Sequence, residues 1–187
     1  YAKNSKSAAA LTRQITQGEV DKCYYAVIKV TDRKGMENVQ KELGGRTVIT
    51  LENYLLKDSK TNMSHVVPEG TDGAKKAVLE YQVLGVEAGE ELALLRVKLH
   101  TGRHHQIRVQ LSEAGMPILN DTKYGVTPDE ENIKDTSRAV RDEALALCSY
   151  RLVFSHPVTR KKLTFEVIPK GKSFALFSED FGKKDNI

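Results

Sequence analysis

With 187 residues, 40% hydrophobic and 29% charged, the chain can bury one sizeable core and carries no signature of disorder. No apolar run approaches the ~20 residues that span a bilayer, and no charged-then-apolar leader opens the chain. Two cysteines, Cys23 and Cys148, allow neither a disulfide scaffold nor the ligand spacing of a zinc site. A single soluble domain in the cytoplasm, with reduced thiols, is therefore expected. The 29 Lys and Arg against 25 Asp and Glu, a formal net charge of +4, suit a polyanionic partner without demonstrating one.

In chain order, Asn4 or Ser5 can cap a helix over 5–17 whose stripe is Ala8, Leu11 and Ile15, ended near Gly18. "KCYYAVIKV" has β-branched and aromatic residues on both faces and reads as an interior strand. From Thr31 to Gly73, turn signals surround a short "RTVITL" run, which predicts loops, short strands and at most one helical turn. Ala77–Leu84 and Leu92–His100 read as two strands of a hairpin turning at "EAGEE". Residues 103–114 switch to helical period and stop at Gly115, and "MPILNDTKYG" is a structured turn. "VTPDEENIKDTSRAVRDEA" reads as a charged surface insertion, and "LALCSYRLVFSH" with "KLTFEVI" as a last strand pair around "PVTRK". Hairpins with few helices predict an α+β fold on a mixed, largely antiparallel sheet.

On a helical wheel, Ile107, Leu111 and Ala114 take the core face of the 103–114 helix. His104 and Arg108 stack along its edge, and Gln106 and Gln110 point away. An arginine at such an edge either snorkels to water or pairs with a buried carboxylate or phosphate, and the pattern leaves both open. The adjacent His104 and His105 diverge on a helix and form no facial pair for a metal. Thr101 in "TGR" is a possible N-cap that would leave the amides of the first helical turn exposed to a phosphate.

The segment "LHTGRHHQIRVQLSEAGMPILNDTKYG" resembles the signature of the RluA family of RNA pseudouridine synthases, L-x-TGR-x-HQIR-x-x-L followed by G-x-PI-x-GD-x-x-YG. "AKNSKSAAAL", "KCYYAV" and "ALCSYRLVFSHPVTRKKLTF" are similar to the family's helix, its K-x-Y-x-A strand and its C-terminal strand pair, so the likeness spans nearly the whole chain. It implies the pseudouridine synthase fold and an isomerase that converts uridine in ribosomal or transfer RNA, with no cofactor and no metal. A non-catalytic RNA-binding module on the same fold is the alternative.

By the same resemblance, Arg108, Tyr24 and Leu147 are the catalytic-site residues. Arg108 would pair with the family's catalytic aspartate, Tyr24 would lie against the target base and move a proton, and Leu147 would wall the pocket. The aspartate belongs to an H-R-L-D motif absent from residues 1–187, so the chain is expected to be an N-terminally incomplete catalytic domain whose acid lies shortly upstream of Tyr1. Asp121, the in-chain candidate, matches the turn aspartate of G-D-x-x-Y-G, where local hydrogen bonding is expected. Asn120 stands in place of the motif's glycine, and Cys148 where the family often has His. Arg103, His105, Gln106, Thr101 and Lys123 are the expected RNA-binding residues, with Arg151 and Lys162 as further phosphate contacts.

Overall fold

A computed structural model describes residues 2–30, 32–125 and 144–182. The charged insertion predicted after Gly125 lies outside these, apart from its last residue, Ala144. Helix α1 (Ser5–Thr16) is capped by the Asn4 side chain, which accepts from the Ser7 amide at 2.9 Å. Its predicted stripe is only partly the buried one: Ala8 and Ile15 are exposed, and the deeply buried residue is Gln14. The reason is hydrogen bonding. Strand β1 (Asp21–Lys29) stops pairing with β6 (Leu147–Ser155) at Asp21 and Val153, and beyond that point the Gln14 amide takes over. Its Nε2 donates to the Ser155 carbonyl, and its Oε1 accepts the Ser155 N–H, both at 2.9 Å.

The 31–73 region is more regular than predicted. It holds a 13-residue helix α2 (Arg33–Gly45), capped by Asp32, then β2 (Val48–Asp58) and β3 (Met63–Val67). Met36, Val39 and Leu43 supply the stripe that docks α2 on the sheet. The predicted hairpin is present as β4 (Lys75–Glu87) and β5 (Leu92–Leu99), joined by a single 3-10 turn. Helix α3 (Gln106–Glu113), β7 (Lys162–Glu166) and the short α4 (Lys172–Ala175) complete the chain.

Seven strands form one sheet in the order β3-β2-β4-β5-β1-β6-β7. Every ladder is antiparallel, as the largely antiparallel sheet expected from the sequence requires, and none of the six is parallel. The predicted interior strand β1 is flanked by β5 and β6, and Ala26, Val27, Ile28, Leu94, Leu95 and Val97 are fully shielded. Register assigns the faces, because side chains of paired residues point the same way. Lys22, Tyr24, Leu147, Leu99, Leu79, Ala77, Asn53 and Leu55 share one face, which α2 and α3 cover in part. Tyr25 is on the other, stacked on Tyr150 at 3.8 Å and against Phe181.

Replacing Gln14 with Ala removes both partners of the half-buried Ser155 backbone groups and should cost about 1–3 kcal/mol. Urea unfolding measures the loss, and an amide-exchange map should show it opening at Ser155 first.

Candidate active site

The "TGRHHQIR" segment leaves β5 and crosses back over the Lys22–Tyr24 face. Helix α3 begins later than predicted: its N-cap is His105, at φ 52°, and Thr101 is not the cap. Thr101 instead accepts the Val78 N–H at 2.9 Å and donates to Gln106 Oε1 at 2.8 Å. Gln106 Oε1 also takes the Arg103 N–H at 2.9 Å, and its Nε2 donates to the Val78 carbonyl. The turn's amide is thus satisfied internally. Thr101 and Gln106 brace the backbone, and Gln106, 2% exposed, is closed to RNA.

The wheel reading of α3 needs the same correction. Ile107 and Leu111 are buried as expected, but Ala114 is exposed, and Gln106 and Gln110 point inward. Gln110 Nε2 lies against the Leu51 and Ala77 carbonyls and Asn53 Oδ1, at 2.8 to 3.3 Å. The amide nitrogen is thus matched to the sheet, while Oε1 is buried without a hydrogen-bond partner among the described residues.

Arg108 does not snorkel. Its Nε and Nη2 reach the two carboxylate oxygens of Asp121 at 2.8 and 2.6 Å, a bidentate pair in which the Asp121 side chain is 1% exposed. Its guanidinium also lies 5.0 Å from the centre of the Tyr124 ring. Among the described residues, the carboxylate that meets Arg108 is thus Asp121, from within the chain. Asp121 also does the turn work expected of it, accepting from the Lys123 and Tyr124 amides at 2.9 and 3.0 Å. Burial pushes its carboxyl pKa up, but Arg108 and these amides outweigh it and hold it below the usual carboxylate value. Asn120 adopts φ 64°, the left-handed conformation a glycine would take there. Gly125 is needed for contact: a Cβ would sit 2.3 Å from the Asp121 carbonyl oxygen.

The two histidines do not diverge, because His105 lies at the cap with a positive φ and not within the helix. Their rings face each other at 3.8 Å. His104 Nδ1 is 3.0 Å from Ser64 Oγ, and His105 Nδ1 is 3.0 Å from the Tyr124 hydroxyl, which also accepts the Ser64 N–H. Burial comes first in pushing both imidazoles below their ordinary pKa; Lys57, Lys123 and Arg108 add to it for His104, and His104, Arg108 and Lys123 for His105. This network ties β3 to α3, a link that no sequence pattern announced.

Among the other expected RNA contacts, Arg151 is paired with Glu166 across β6 and β7 at 3.0 Å, and Lys123 Nζ donates to the Asn62 carbonyl. Arg103 Nε donates to the Lys76 carbonyl, and its charge adjoins Lys22. Lys22 was overlooked in the sequence, although it opens the "KCYYAV" strand. Burial, followed by the Arg103 charge, pulls its pKa down. A Cβ at Gly102 would lie 3.2 Å from Lys22 Nζ, so glycine there gives the ammonium room. Two residues further along the same face stands Tyr24, half-buried on the core, with Leu147 opposite Ala26 on the neighbouring strand. The result is a cationic corner at the β1 start, with a phenol and an apolar wall beside it.

The model of the RNA pseudouridylate synthase family matches residues 1–113. The chain is 28% identical over 166 residues to an uncharacterised RNA pseudouridine synthase of Aquifex aeolicus, covering 89% of this chain and 47% of the relative. It is 30% identical over 167 residues to the ribosomal large subunit pseudouridine synthase D of Vibrio cholerae, covering 88% and 46%. Among solved structures, human RNA pseudouridylate synthase domain containing 4 superposes with a TM-score of 0.66 at 20% identity, over 92% of this chain and 66% of that one. The chain spans about half the length of the curated relatives it matches first.

The stability contributed by ionised Asp121 is fully present above the ordinary carboxylate pKa of 3.8 and is lost as pH falls through its lower folded value. Asp121→Asn should therefore unfold more easily at neutral pH, by about 3 kcal/mol, because it leaves a partly buried guanidinium without its counter-charge. It should also flatten the acid limb of a plot of denaturation midpoint against pH.

Proposed function

We propose that this chain, which belongs to the RNA pseudouridylate synthase family, carries the uridine-binding part of an enzyme that isomerises uridine to pseudouridine in structured ribosomal or transfer RNA. The reaction breaks the N1–C1′ bond and forms a C5–C1′ bond. The C5 hydrogen leaves to water and N1 takes up a proton, so no oxidant or reductant enters. The observation that carries the reading is the "TGR" turn folded onto the start of β1, which puts Arg103 beside Lys22, two residues before Tyr24, with no carboxylate paired to either cation among the described residues.

Lys22 and Arg103 hold a phosphate flanking the target uridine, since a cation pair that burial and mutual repulsion already disfavour gains most from an anion. Tyr24 lies against the base, where its ring stacks and its hydroxyl exchanges the C5 proton. Leu147 helps keep water from a base turned out of its stack. Arg108 acts as a positioning residue: clamped on Asp121, it fixes the helix that follows the turn. Asp121, saturated by Arg108 and two amides, is not the acid of the reaction. The acid is the H-R-L-D aspartate that the motif resemblance implies. The enzyme works in the cytoplasm; among the described residues no helix is long and apolar enough to cross a membrane.

Release of tritium from C5-labelled uridine in RNA tests this. Residues 1–187 alone should release none, and a polypeptide extended upstream by an H-R-L-D segment should release it. Turnover by the 187 residues on their own would refute the assignment of the acid. In the extended polypeptide, Tyr24→Phe should lower kcat by about 10²–10⁴-fold with KM little changed, as expected for a lost proton-transfer group.

A further inference from the structure

We propose that the groove between α1 and the β6–β7 turn is a second RNA-binding site, which takes the sugar-phosphate backbone of the substrate outside the uridine pocket. The proposal rests on the reading of this chain as an RNA-modifying enzyme and extends it to how the RNA is held. The groove has a volume of about 680 Å³, with Lys6, Ala9, Ala10 and Arg13 on one wall and Val158 and Arg160 on the other.

Its chemistry is one-sided. Residues 2–17 and 156–163 contain Lys3, Lys6, Arg13, Arg160, Lys161 and Lys162 and no Asp or Glu. Those six positive charges exceed the +4 of the whole chain, so the remainder is net negative and the basic character is concentrated here. Among the described residues, no carboxylate pairs with Lys6, Arg13 or Arg160. Ala9 and Ala10 are small, which leaves a floor between the cations for a ligand to enter.

Spacing separates a polymer from a single ion. Lys6 and Arg13 are seven residues apart on one helix, about 10 Å along its axis, too far for one phosphate to bridge but suited to successive phosphates of a strand. The opposite wall is held in shape. His156 Nδ1 accepts the Val158 and Thr159 amides at 3.2 and 3.1 Å, and Arg160, at φ 61°, donates its N–H to the His156 carbonyl. Val158, 73% exposed at the rim, offers an apolar contact to a ribose or base.

Register places this groove at the same end of the sheet as the cationic corner. Lys22, at the start of β1, is opposite both Leu99, from which the "TGR" turn departs, and Leu152, three residues before the β6 strand ends. An RNA strand held at Lys22 and Arg103 can thus extend toward the groove at the same end of the sheet.

The test is fluorescence anisotropy of a labelled RNA hairpin with the 187-residue chain and with K6Q/R13Q/R160Q, titrated across salt concentration. The variant should bind at least about tenfold more weakly at low salt, and its log Kd against log salt should be shallower by about 2, as for three lost phosphate contacts. A charge-matched control, K34Q/K41Q/K60Q, removes exposed lysines elsewhere and should keep affinity and slope. Unchanged binding by the groove variant, or an equal loss in the control, would overturn the proposal. So would polyglutamate displacing RNA from the chain as effectively as unlabelled RNA. The readout is independent of catalysis: an extended polypeptide that makes no pseudouridine but still loses RNA affinity with the groove variant would sink the catalytic reading alone.

Discussion

A guanidinium and a carboxylate, joined by two parallel hydrogen bonds thirteen residues apart in sequence, fix the geometry of this protein's site. Arg108 belongs to the helix that follows the "TGR" turn, and Asp121 to the "NDTKYG" turn after it. Their pairing ties the two segments together with a defined direction that a lysine could not impose. Asp121 in turn holds the Lys123 and Tyr124 amides, Tyr124 reaches Ser64 and His105, and Ser64 reaches His104. From one ion pair, a chain of matched polar groups thus runs to the far edge of the sheet. Each is buried or half-buried, where an unmatched partner would be costly.

This arrangement separates two kinds of arginine within six residues. Arg108 is clamped on Asp121. Arg103 lies beside Lys22 and, among the described residues, donates one side-chain N–H to a backbone carbonyl. Both stand in one motif, and it is the motif's folded shape that divides the work: glycine at 102 admits the lysine, and Gln106 closes the turn so that Arg103 is carried outward. The phenol of Tyr24 follows from strand alternation, which puts it on the face of Lys22 and not that of Tyr25.

Much of the fold was legible in the chain. The interior β1, the hairpin at "EAGEE" and the closing strand pair all followed from alternation and turn chemistry, because apolar side chains there meet apolar neighbours. The failures share a cause. Gln14, Gln106 and Gln110 face inward because backbone groups at a strand end, a turn and a sheet surface need partners, and a wheel that sorts residues by polarity sends them outward. Helix α2 was obscured by Gly35, Gly44 and Gly45, although Asp32 and the Met36, Val39, Leu43 stripe were there to be read. In the site, Tyr24, Leu147 and Arg108 were named from motif resemblance. The partner of Arg108 could not be, since nothing local to Asp121 tells a turn-capping carboxylate from one that also receives a guanidinium.

The central claim is that Arg108 and Asp121 act as one unit. A double-mutant cycle with Arg108→Met, Asp121→Asn and the pair, read by urea unfolding at neutral pH, measures it most directly. The account predicts a coupling of about 2 kcal/mol or more, with the double variant hardly less stable than either single one. Additive losses would contradict it, and would mean that the two side chains serve the fold separately.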